Sequence, residues 1–172
     1  MNWKKLSSES AYRGWRKIDR VSFAFPDGHT ADFEIKNEGI AVCVLPLTSD
    51  NQVILAKQFR PGPEKVLMEL PGGGAHAGED FTQAIARELL EETGYQGEIT
   101  FVGTSIMDAY SSGIRHNFLA RNCVKVQEPE NDPQEPIEVV LLSLNEFRHH
   151  LQTGELSDVT TGYLALDFAN LL

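Results

Sequence analysis

The sequence predicts an α/β domain with a small antiparallel β appendage at its N-terminus. Three observations predict this class. Short apolar runs bounded by turn residues, such as GIAVCVLPL and QVILAKQF, are typical of buried strands. A strongly marked helix follows in the middle of the chain. After a last apolar strand, the amphipathic segments NEFRHHLQTGEL and VTTGYLALDFANLL predict two further helices.

The N-terminal region predicts a β-hairpin that needs a surface to pack on. The runs VSFAF and ADFEI flank PDGHT, a combination of turn-forming residues. An isolated two-stranded hairpin is only marginally stable in water. We therefore expect residues 1–38 to form an appendage that packs on the main domain, residues 39–172, or on a second chain.

The strands of the main domain can be placed by their apolar runs. GIAVCVLPL and QVILAKQF are joined by the polar turn TSDN, and GEITFVGTSIM and RHNFLARNCVKVQ come later, on either side of DAYSSGIRH. The acidic, proline-rich segment from Glu128 to Pro136 predicts a loop before the last strand, IEVVLLSL.

The most informative stretch of the chain contains one helix with clear ends. Asp80 is an acidic N-cap, and Gln83, three residues later, is its capping-box partner. Gly94 is a stop signal, because glycine readily adopts the left-handed conformation at a helix C-terminus. The helix between them should have about three to four turns.

Three carboxylates on this helix lie in line with residues that should be buried. With a rotation of about 100° per residue, the stripe of Phe81 and Ile85 continues into Glu88 and Glu92, with Glu91 at its edge. Like charges four residues apart destabilise a helix, so carboxylates that face the core need a cation. Oxygen ligands of this kind suit Mg²⁺ or Mn²⁺. A solvated acidic helix end is the alternative interpretation.

The spacing of the whole segment resembles the Nudix box, the signature of the Nudix hydrolases. Gly73 is followed after five residues by Glu79, and after seven more by RELLEETGY, from Arg87 to Tyr95. Every fixed position of that motif is matched, and the one soft departure is Tyr95, where the family usually has an aliphatic residue. The segment from Gln52 to Pro71, with LAKQFRPG and MELPGG, is similar to the ADP-ribose pyrophosphatase branch.

This resemblance implies the architecture, the reaction and the cofactor. The fold would be a Nudix α/β/α sandwich around a mixed sheet, and its N-terminal sheet would build a homodimer. The reaction would be Mg²⁺-dependent hydrolysis of the diphosphate bond of a nucleoside diphosphate sugar, with Mn²⁺ as a possible substitute. ADP-ribose and GDP-mannose are the type substrates, and the products are a nucleoside monophosphate and a sugar phosphate.

The resemblance also implies a role for each residue of the box. The metal would be held by the carboxylates of Glu88 and Glu92 and by the Gly72 carbonyl. Glu91 would assist these ligands. Arg87 and Glu79 would form an ion pair that orients the carboxylates. Metal ions would neutralise the diphosphate oxygens and acidify the attacking water. The ion pair is the kind of support that orients metal ligands.

A further carboxylate from a late loop commonly serves as base or metal ligand in this family. Glu135 is the first candidate, because it lies just before IEVV, and Glu138 and Glu130 are the alternatives. In some relatives a second glutamate stands two residues earlier, where this chain has Pro133. Glu135 is therefore open as base, as metal ligand or as a solvated loop residue.

Substrate contacts are predicted outside the box. Arg60 ends a strand just before a loop, which suits a forked contact to a diphosphate, and an arginine in this place contacts the diphosphate in the ADP-ribose branch. A surface salt bridge is the alternative. By resemblance, Trp15 and Phe33 are candidates for stacking on the base, although core or dimer contacts explain them equally well. Arg115 and His116 are candidates for a phosphate or sugar contact.

Composition bounds the remaining possibilities. A length of 172 residues favours one domain with a small appendage, and the net charge of −10 argues against non-specific nucleic-acid binding. An anionic substrate stays possible, because bound cations reverse the local field. Cys43 and Cys123 lie in apolar runs and predict buried free thiols. No signal peptide or membrane-spanning run is evident, so we expect a cytoplasmic protein with no membrane partner.

Two alternative functions stay open at this stage. The first is a Nudix hydrolase of another X-diphosphate, such as a dinucleoside polyphosphate, NADH or a damaged nucleotide. It is kept open by Tyr110 and by the sequence Ser111-Ser112-Gly113, where the ADP-ribose branch usually has Ser-Pro-Gly. The second is a nucleotide sensor that binds without cleaving, which the intact box disfavours.

Overall fold

A computed structural model describes residues 2–130 and 136–172 of the chain. The chain divides into two compact units. One contains the chain up to Ile40 together with Ile106–Arg115, and the other contains Ala41–Ser105 and His116–Leu172. No helix in the described ranges has the length and apolar character needed to cross a bilayer.

The first unit is built on a three-stranded antiparallel sheet. Its strands are β1 (Lys4–Arg13), β2 (Lys17–Ala24) and β3 (Thr30–Lys36), in that order across the sheet. Strands β2 and β3 form the hairpin predicted around PDGHT. Strand β1 was not predicted, because its residues are polar and exposed along their whole length. The small antiparallel N-terminal sheet is thus confirmed, with one strand more than expected.

The segment that joins the two long late strands also belongs to the first unit and is fastened to the end of β3. The Lys36 amide donates to the Tyr110 carbonyl at 2.8 Å, and the Ser112 amide donates to the Lys36 carbonyl at 2.9 Å. The Ser111 hydroxyl donates to Glu38 at 2.7 Å. Side-chain and backbone hydrogen bonds therefore order this segment without the proline that the related branch usually carries there.

The second unit is built on a seven-stranded sheet. Five strands follow the order β10-β5-β4-β9-β8, while β6 pairs with β5 and β7 pairs with β4. The bounds of the strands are β4 Ile40–Thr48, β5 Val53–Arg60, β6 Lys65–Glu69, β7 Gly72–Gly74, β8 Tyr95–Ile106, β9 Ile114–Lys125 and β10 Glu138–Leu142. The long apolar runs of the sequence predicted all of these except β6 and the three-residue β7.

Helices cover both faces of this sheet. Helix α1 (Phe81–Thr93) packs with Val42 and Val44 of β4 in one apolar cluster. Helices α2 (Leu144–Thr153) and α3 (Val159–Ala169) pack with Leu45 and Leu47 of the same strand in another. Since successive strand residues point to opposite faces, the two clusters lie on opposite sides of the sheet. This arrangement confirms the predicted α/β/α sandwich.

Candidate functional site

Helix α1 begins and ends where its sequence predicts. The Asp80 carboxylate accepts hydrogen bonds from the amides of Thr82 at 3.0 Å and Gln83 at 3.2 Å. Gly94 follows the last turn with φ of 76°, and its amide donates to the Leu90 carbonyl at 2.8 Å. These caps fix the register of the helix, and so they decide which carboxylates lie next to the sheet.

Arg87 holds three carboxylates of the site at once. Its Nε and Nη2 donate to Glu79 at 3.1 and 3.2 Å, and its Nη1 donates to Glu88 at 2.9 Å and Glu91 at 3.0 Å. The hydrogen-bonded guanidinium lowers the pKa of Glu79 to about 2. The same carboxylates raise the pKa of Arg87. The four side chains therefore form one hydrogen-bonded network, which contains the predicted pairing of Arg87 with Glu79.

Glu88 lies directly against the backbone of β7. A Cβ atom added to Gly73 would stand 2.5 Å from a carboxylate oxygen of Glu88, so only glycine leaves room for the side chain in this position. Burial is the largest influence on Glu88 and raises its pKa, while the Arg87 guanidinium acts in the opposite direction. The carboxylate is thus poorly hydrated, and the Arg87 guanidinium offsets only part of the cost of burying its charge.

Glu92, one turn further along α1, faces the same strand. Its carboxylate accepts a hydrogen bond from the Gly72 amide at 3.0 Å. Burial raises the pKa of Glu92 to about 8, and the Gly72 hydrogen bond opposes this shift. Among more distant charges, Arg60 favours the ionised form, whereas Glu88 and Asp158 disfavour it. The carboxylate therefore lies close to more negative than positive charge.

These donors fit a hard divalent cation. Glu88 and Glu92 are partly buried carboxylates whose ionised forms are disfavoured where they lie, and a bound cation would remove that penalty. In the described part of the chain, no group of three or more acidic, histidine or cysteine side chains is placed to hold a metal ion by itself. Mg²⁺ typically uses one or two carboxylates and keeps water or phosphate oxygens for its other positions. Two glutamates with the Gly72 carbonyl would suffice for such an open site.

Arg60 is paired with a buried residue that the sequence interpretation missed. Its Nε donates to the Glu69 carboxylate at 2.5 Å. Glu69 is only 1% exposed, and its other oxygen accepts from the Ser157 amide at 3.2 Å. The pair differs from the surface salt bridge considered above, since one partner lies in the interior. The available signal was a glutamate inside the apolar run VLMELP.

Asp158 is a second acidic residue near the site that was missed. It is buried, it stands at the N-cap position of α3, and it accepts a hydrogen bond from the Ser157 hydroxyl at 3.1 Å. Its charge disfavours the ionised form of Glu92. An aspartate just before the predicted helix VTTGYLALDF was the signal that marked this position.

The base-stacking candidates both lie in the first unit and differ in their surroundings. Trp15 stands in the turn between β1 and β2 and is 95% exposed. Phe33 belongs to an aromatic cluster, with ring centroids 5.5 Å from Trp3 and 6.4 Å from Tyr110. A base could therefore reach Trp15 without displacing neighbours, whereas Phe33 already has aromatic partners.

The remaining candidates are divided between strand and loop positions. Arg115 is the second residue of β9, belongs to the first unit and is half-buried. His116 packs against two aromatic rings, both tilted to its own, with ring centroids 4.1 Å from Phe81 and 5.7 Å from Phe101. This packing explains His116 as a structural residue, the interpretation that is more common for a single histidine.

Among the candidate bases, Glu135 lies outside the described residues. The Glu130 amide donates to the Glu91 carbonyl at 2.7 Å, so the chain passes along the end of α1 just before the candidate loop. Glu138 pairs with Lys57 at 2.8 Å, at the start of β10. Of the two alternatives, Glu130 is therefore the one whose backbone is bonded to the acidic helix.

Comparisons with known proteins agree on one family. The sequence model of the NUDIX domain matches residues 37–160. An ADP-ribose pyrophosphatase of Bacillus subtilis (strain 168) is 34% identical over 167 residues, which cover 93% of this chain and 89% of that protein. A methanol dehydrogenase activator of Bacillus methanolicus is 29% identical, with 92% and 88% covered. A solved structure of an ADP compounds hydrolase superposes with a TM-score of 0.80 at 22% identity, covering 100% of this chain and 98% of that one.

Proposed function

This chain belongs to the Nudix family, and we propose that it hydrolyses the diphosphate bond of ADP-ribose and related nucleoside diphosphate sugars with a divalent cation, Mg²⁺ or in its place Mn²⁺. The observation that carries the proposal is the network in which Arg87 holds Glu79, Glu88 and Glu91 beside Glu92. The similarity to the Bacillus subtilis ADP-ribose pyrophosphatase supports the choice of substrate.

The proposed chemistry assigns a task to each residue of the network. A bound cation supplies charge neutralisation of the diphosphate and a more acidic attacking water. Glu88, Glu92 and the Gly72 carbonyl hold that cation, while Arg87 and Glu79 fix the direction of the carboxylates. In this way the negative charge of the diphosphate, which repels a water nucleophile, is neutralised. The water attacks directly, so no covalent intermediate on the protein is needed.

Substrate binding and proton transfer complete the proposal. Arg60 contacts the diphosphate, Arg115 contacts a phosphate or the sugar, and Trp15 or Phe33 stacks on the base. Glu135 accepts the proton of the attacking water, with Glu130 and Glu138 as the alternatives. Trp15 is supported by its exposure and Glu130 by the anchoring of its amide. A net charge of −10 disfavours a nucleic-acid partner, whereas a bound cation would reverse the local field for a small anionic substrate.

The assay that tests this function is phosphate release in a phosphatase-coupled reaction. The panel contains ADP-ribose, GDP-mannose, UDP-glucose, a diadenosine polyphosphate, NADH and dGTP, each with Mg²⁺, with Mn²⁺ and with a chelator. We expect metal-dependent turnover of the diphosphate sugars, with ADP-ribose the best substrate. Turnover of dGTP or the dinucleotides alone would contradict the substrate assignment. Tight binding without any product would favour a sensor.

A second substrate class has its own support. The connecting segment has Ser112 where the ADP-ribose branch usually has proline. Tyr110, which is 56% exposed, stays available for a second base. Preferred turnover of NADH or a diadenosine polyphosphate in the same panel would favour this alternative.

We further propose that residues 1–38 are a dimerisation appendage and that the protein acts as a homodimer in the cytoplasm. Strand β1 is exposed on every residue and pairs in the described chain only with β2. Such an edge readily accepts another strand or surface. Both cysteines are free, which suits a reducing compartment.

Light scattering coupled to gel filtration tests the dimer. We expect a mass twice that of the 19.1 kDa chain at micromolar concentration. A chain that lacks residues 1–38 should elute as a monomer if the appendage holds the dimer. A full-length monomer at that concentration would contradict the proposal.

A further inference from the structure

Glu69 is a buried carboxylate that the proposed chemistry does not use. We infer that Glu69 is a positioning residue, which fixes the Arg60 guanidinium so that its terminal amino groups meet the substrate diphosphate. The inference rests on the proposed function for the identity of the substrate. It is carried by three observations in the second unit: the buried and hydrogen-bonded position of Glu69, the unshared donors of Arg60, and the acidic residues near them.

The Glu69 carboxylate is buried and accepts a hydrogen bond on each oxygen. It is 1% exposed, and it lies at the end of β6. One oxygen accepts from Arg60 Nε at 2.5 Å and the other from the Ser157 amide at 3.2 Å. A charge buried to this extent is tolerated only when it is paired and hydrogen-bonded. Three chain segments, β5, β6 and the connection before α3, are therefore held together at this side chain.

Arg60 is attached to Glu69 by one edge only. Its guanidinium carries five N–H groups in a rigid plane. Within residues 2–130 and 136–172 only Nε has a hydrogen-bond partner, and the side chain is 35% exposed. The four terminal N–H groups have no hydrogen-bond partner in these described ranges, so they stay available to a second anion. Because the plane is rigid, anchoring Nε also sets the direction of these donors.

The surroundings of Arg60 explain why an anchor is needed. Arg60 acts electrostatically on Glu92, and Asp158 lies within electrostatic range of the same carboxylate. Arg60 is hydrogen-bonded to Glu69, whereas Glu92 accepts from the Gly72 amide, so the arginine does not occupy the position proposed for the cation. Glu69 thus keeps the positive charge beside the proposed metal carboxylates without letting it neutralise them.

The experiment compares Glu69→Gln, Arg60→Ala and the double variant with the wild-type protein. Glutamine keeps the size of Glu69 but loses the charge. Since a hydrogen bond between charged groups is lost, we expect Glu69→Gln to raise the KM for ADP-ribose by about tenfold to a hundredfold, with much less effect on kcat. The dissociation constant of ADP-ribose, measured by titration calorimetry in chelator, should rise by a similar factor.

The double variant separates positioning from a general effect on the fold. If Glu69 acts through Arg60, its substitution should have almost no further effect on KM once Arg60 is alanine. The matched control is Glu155→Gln, which removes an ion pair of 2.8 Å with Lys65 of β6, both partners being exposed. We expect this control to leave KM and the dissociation constant unchanged.

Three results would overturn the inference. The first is an unchanged KM in Glu69→Gln, even with a lower melting temperature, and the second is an undiminished effect in the Arg60→Ala background. If Glu69→Gln does not fold, Arg60→Lys takes its place, because lysine keeps the charge but lacks the Nε donor. An unchanged KM in Arg60→Lys is the third result. If the wild-type protein binds ADP-ribose without hydrolysing it, the proposed hydrolysis is refuted. The role of Glu69 can then still be tested, because the dissociation constants of the variants can be compared. Absence of ADP-ribose binding would refute both.

Discussion

Replacement of Glu92 with glutamine should almost abolish hydrolysis of ADP-ribose while leaving the protein folded. Glu92 accepts a hydrogen bond from the Gly72 amide, and glutamine can keep that bond through its carbonyl oxygen. The variant loses only the negative charge that is proposed to hold the cation. Because several kcal/mol of transition-state stabilisation depend on that cation, we expect kcat/KM to fall by about a thousandfold.

Thermal unfolding with and without metal shows whether the cause is metal binding. Mg²⁺ should raise the Tm of the wild-type protein and should have little effect on the variant. Glu128→Gln is the matched control, because Glu128 is exposed and pairs with Lys125 at the surface. A Glu92→Gln variant with more than a tenth of the wild-type activity, or with an unchanged response to Mg²⁺, would contradict the proposed role.

The pH dependence of the metal-free proteins provides a further measurement of the same variant. Folding raises the pKa of Glu92 from 4.5 to about 8. The folded state therefore binds the Glu92 proton more tightly than the unfolded state does. The stability from this proton is fully present below pH 4.5 and is lost as the pH rises through 8. Glutamine does not titrate and avoids this loss. In chelator, the Tm of the variant relative to wild type should therefore increase between pH 5 and pH 9, and a constant difference would contradict the shift.

Substitution of Gly73 by alanine should have the second large effect. The added Cβ would stand 2.5 Å from the Glu88 carboxylate, so the carboxylate must move. A displacement of about 1 Å at a catalytic group can cost about a hundredfold in rate, and we expect a loss of that size in kcat/KM with a smaller change in Tm. Steady-state kinetics at saturating Mg²⁺ measure it.

The neighbouring glycine provides a matched control for this effect. A Cβ on Gly74 would have no heavy atom within 4 Å, so Gly74→Ala should retain activity close to wild type. Both variants lie in β7 and add the same methyl group, which makes the difference between them specific to Glu88. Equal activities in the two variants would show that the position of Glu88 does not limit the reaction.

Helix α1 shows how much of this site the sequence alone predicts. Its caps, Asp80 and Gly94, are local signals, and a fixed helical period then places Glu88 and Glu92 on one side. These features depend on residues close together in the chain, so they can be worked out without a structure. The Nudix spacing added the identity of the cluster to the same local information.

Features that depend on distant residues were not predicted. Glu69 is paired through contacts with Arg60 and with Ser157, 88 residues away, and no local pattern reports such a pairing. Strand β1 is exposed on every residue and mostly polar, so the alternation that marks a half-buried strand is absent. Asp158 was visible as the start of a helix, yet its proximity to Glu92 depends on how α3 packs on the sheet.

The division of the apolar core has a practical consequence for anyone who engineers this chain. Ala84, Ile85 and Leu89 anchor the helix that carries the carboxylates, and they belong to one cluster, while α2 and α3 pack in the other. Changes in the first cluster move the proposed metal ligands along with the core, whereas the sheet separates most of the second cluster from them. A search for thermostable variants that keep their activity should therefore begin among the residues between α2 and α3, on the opposite face of the sheet.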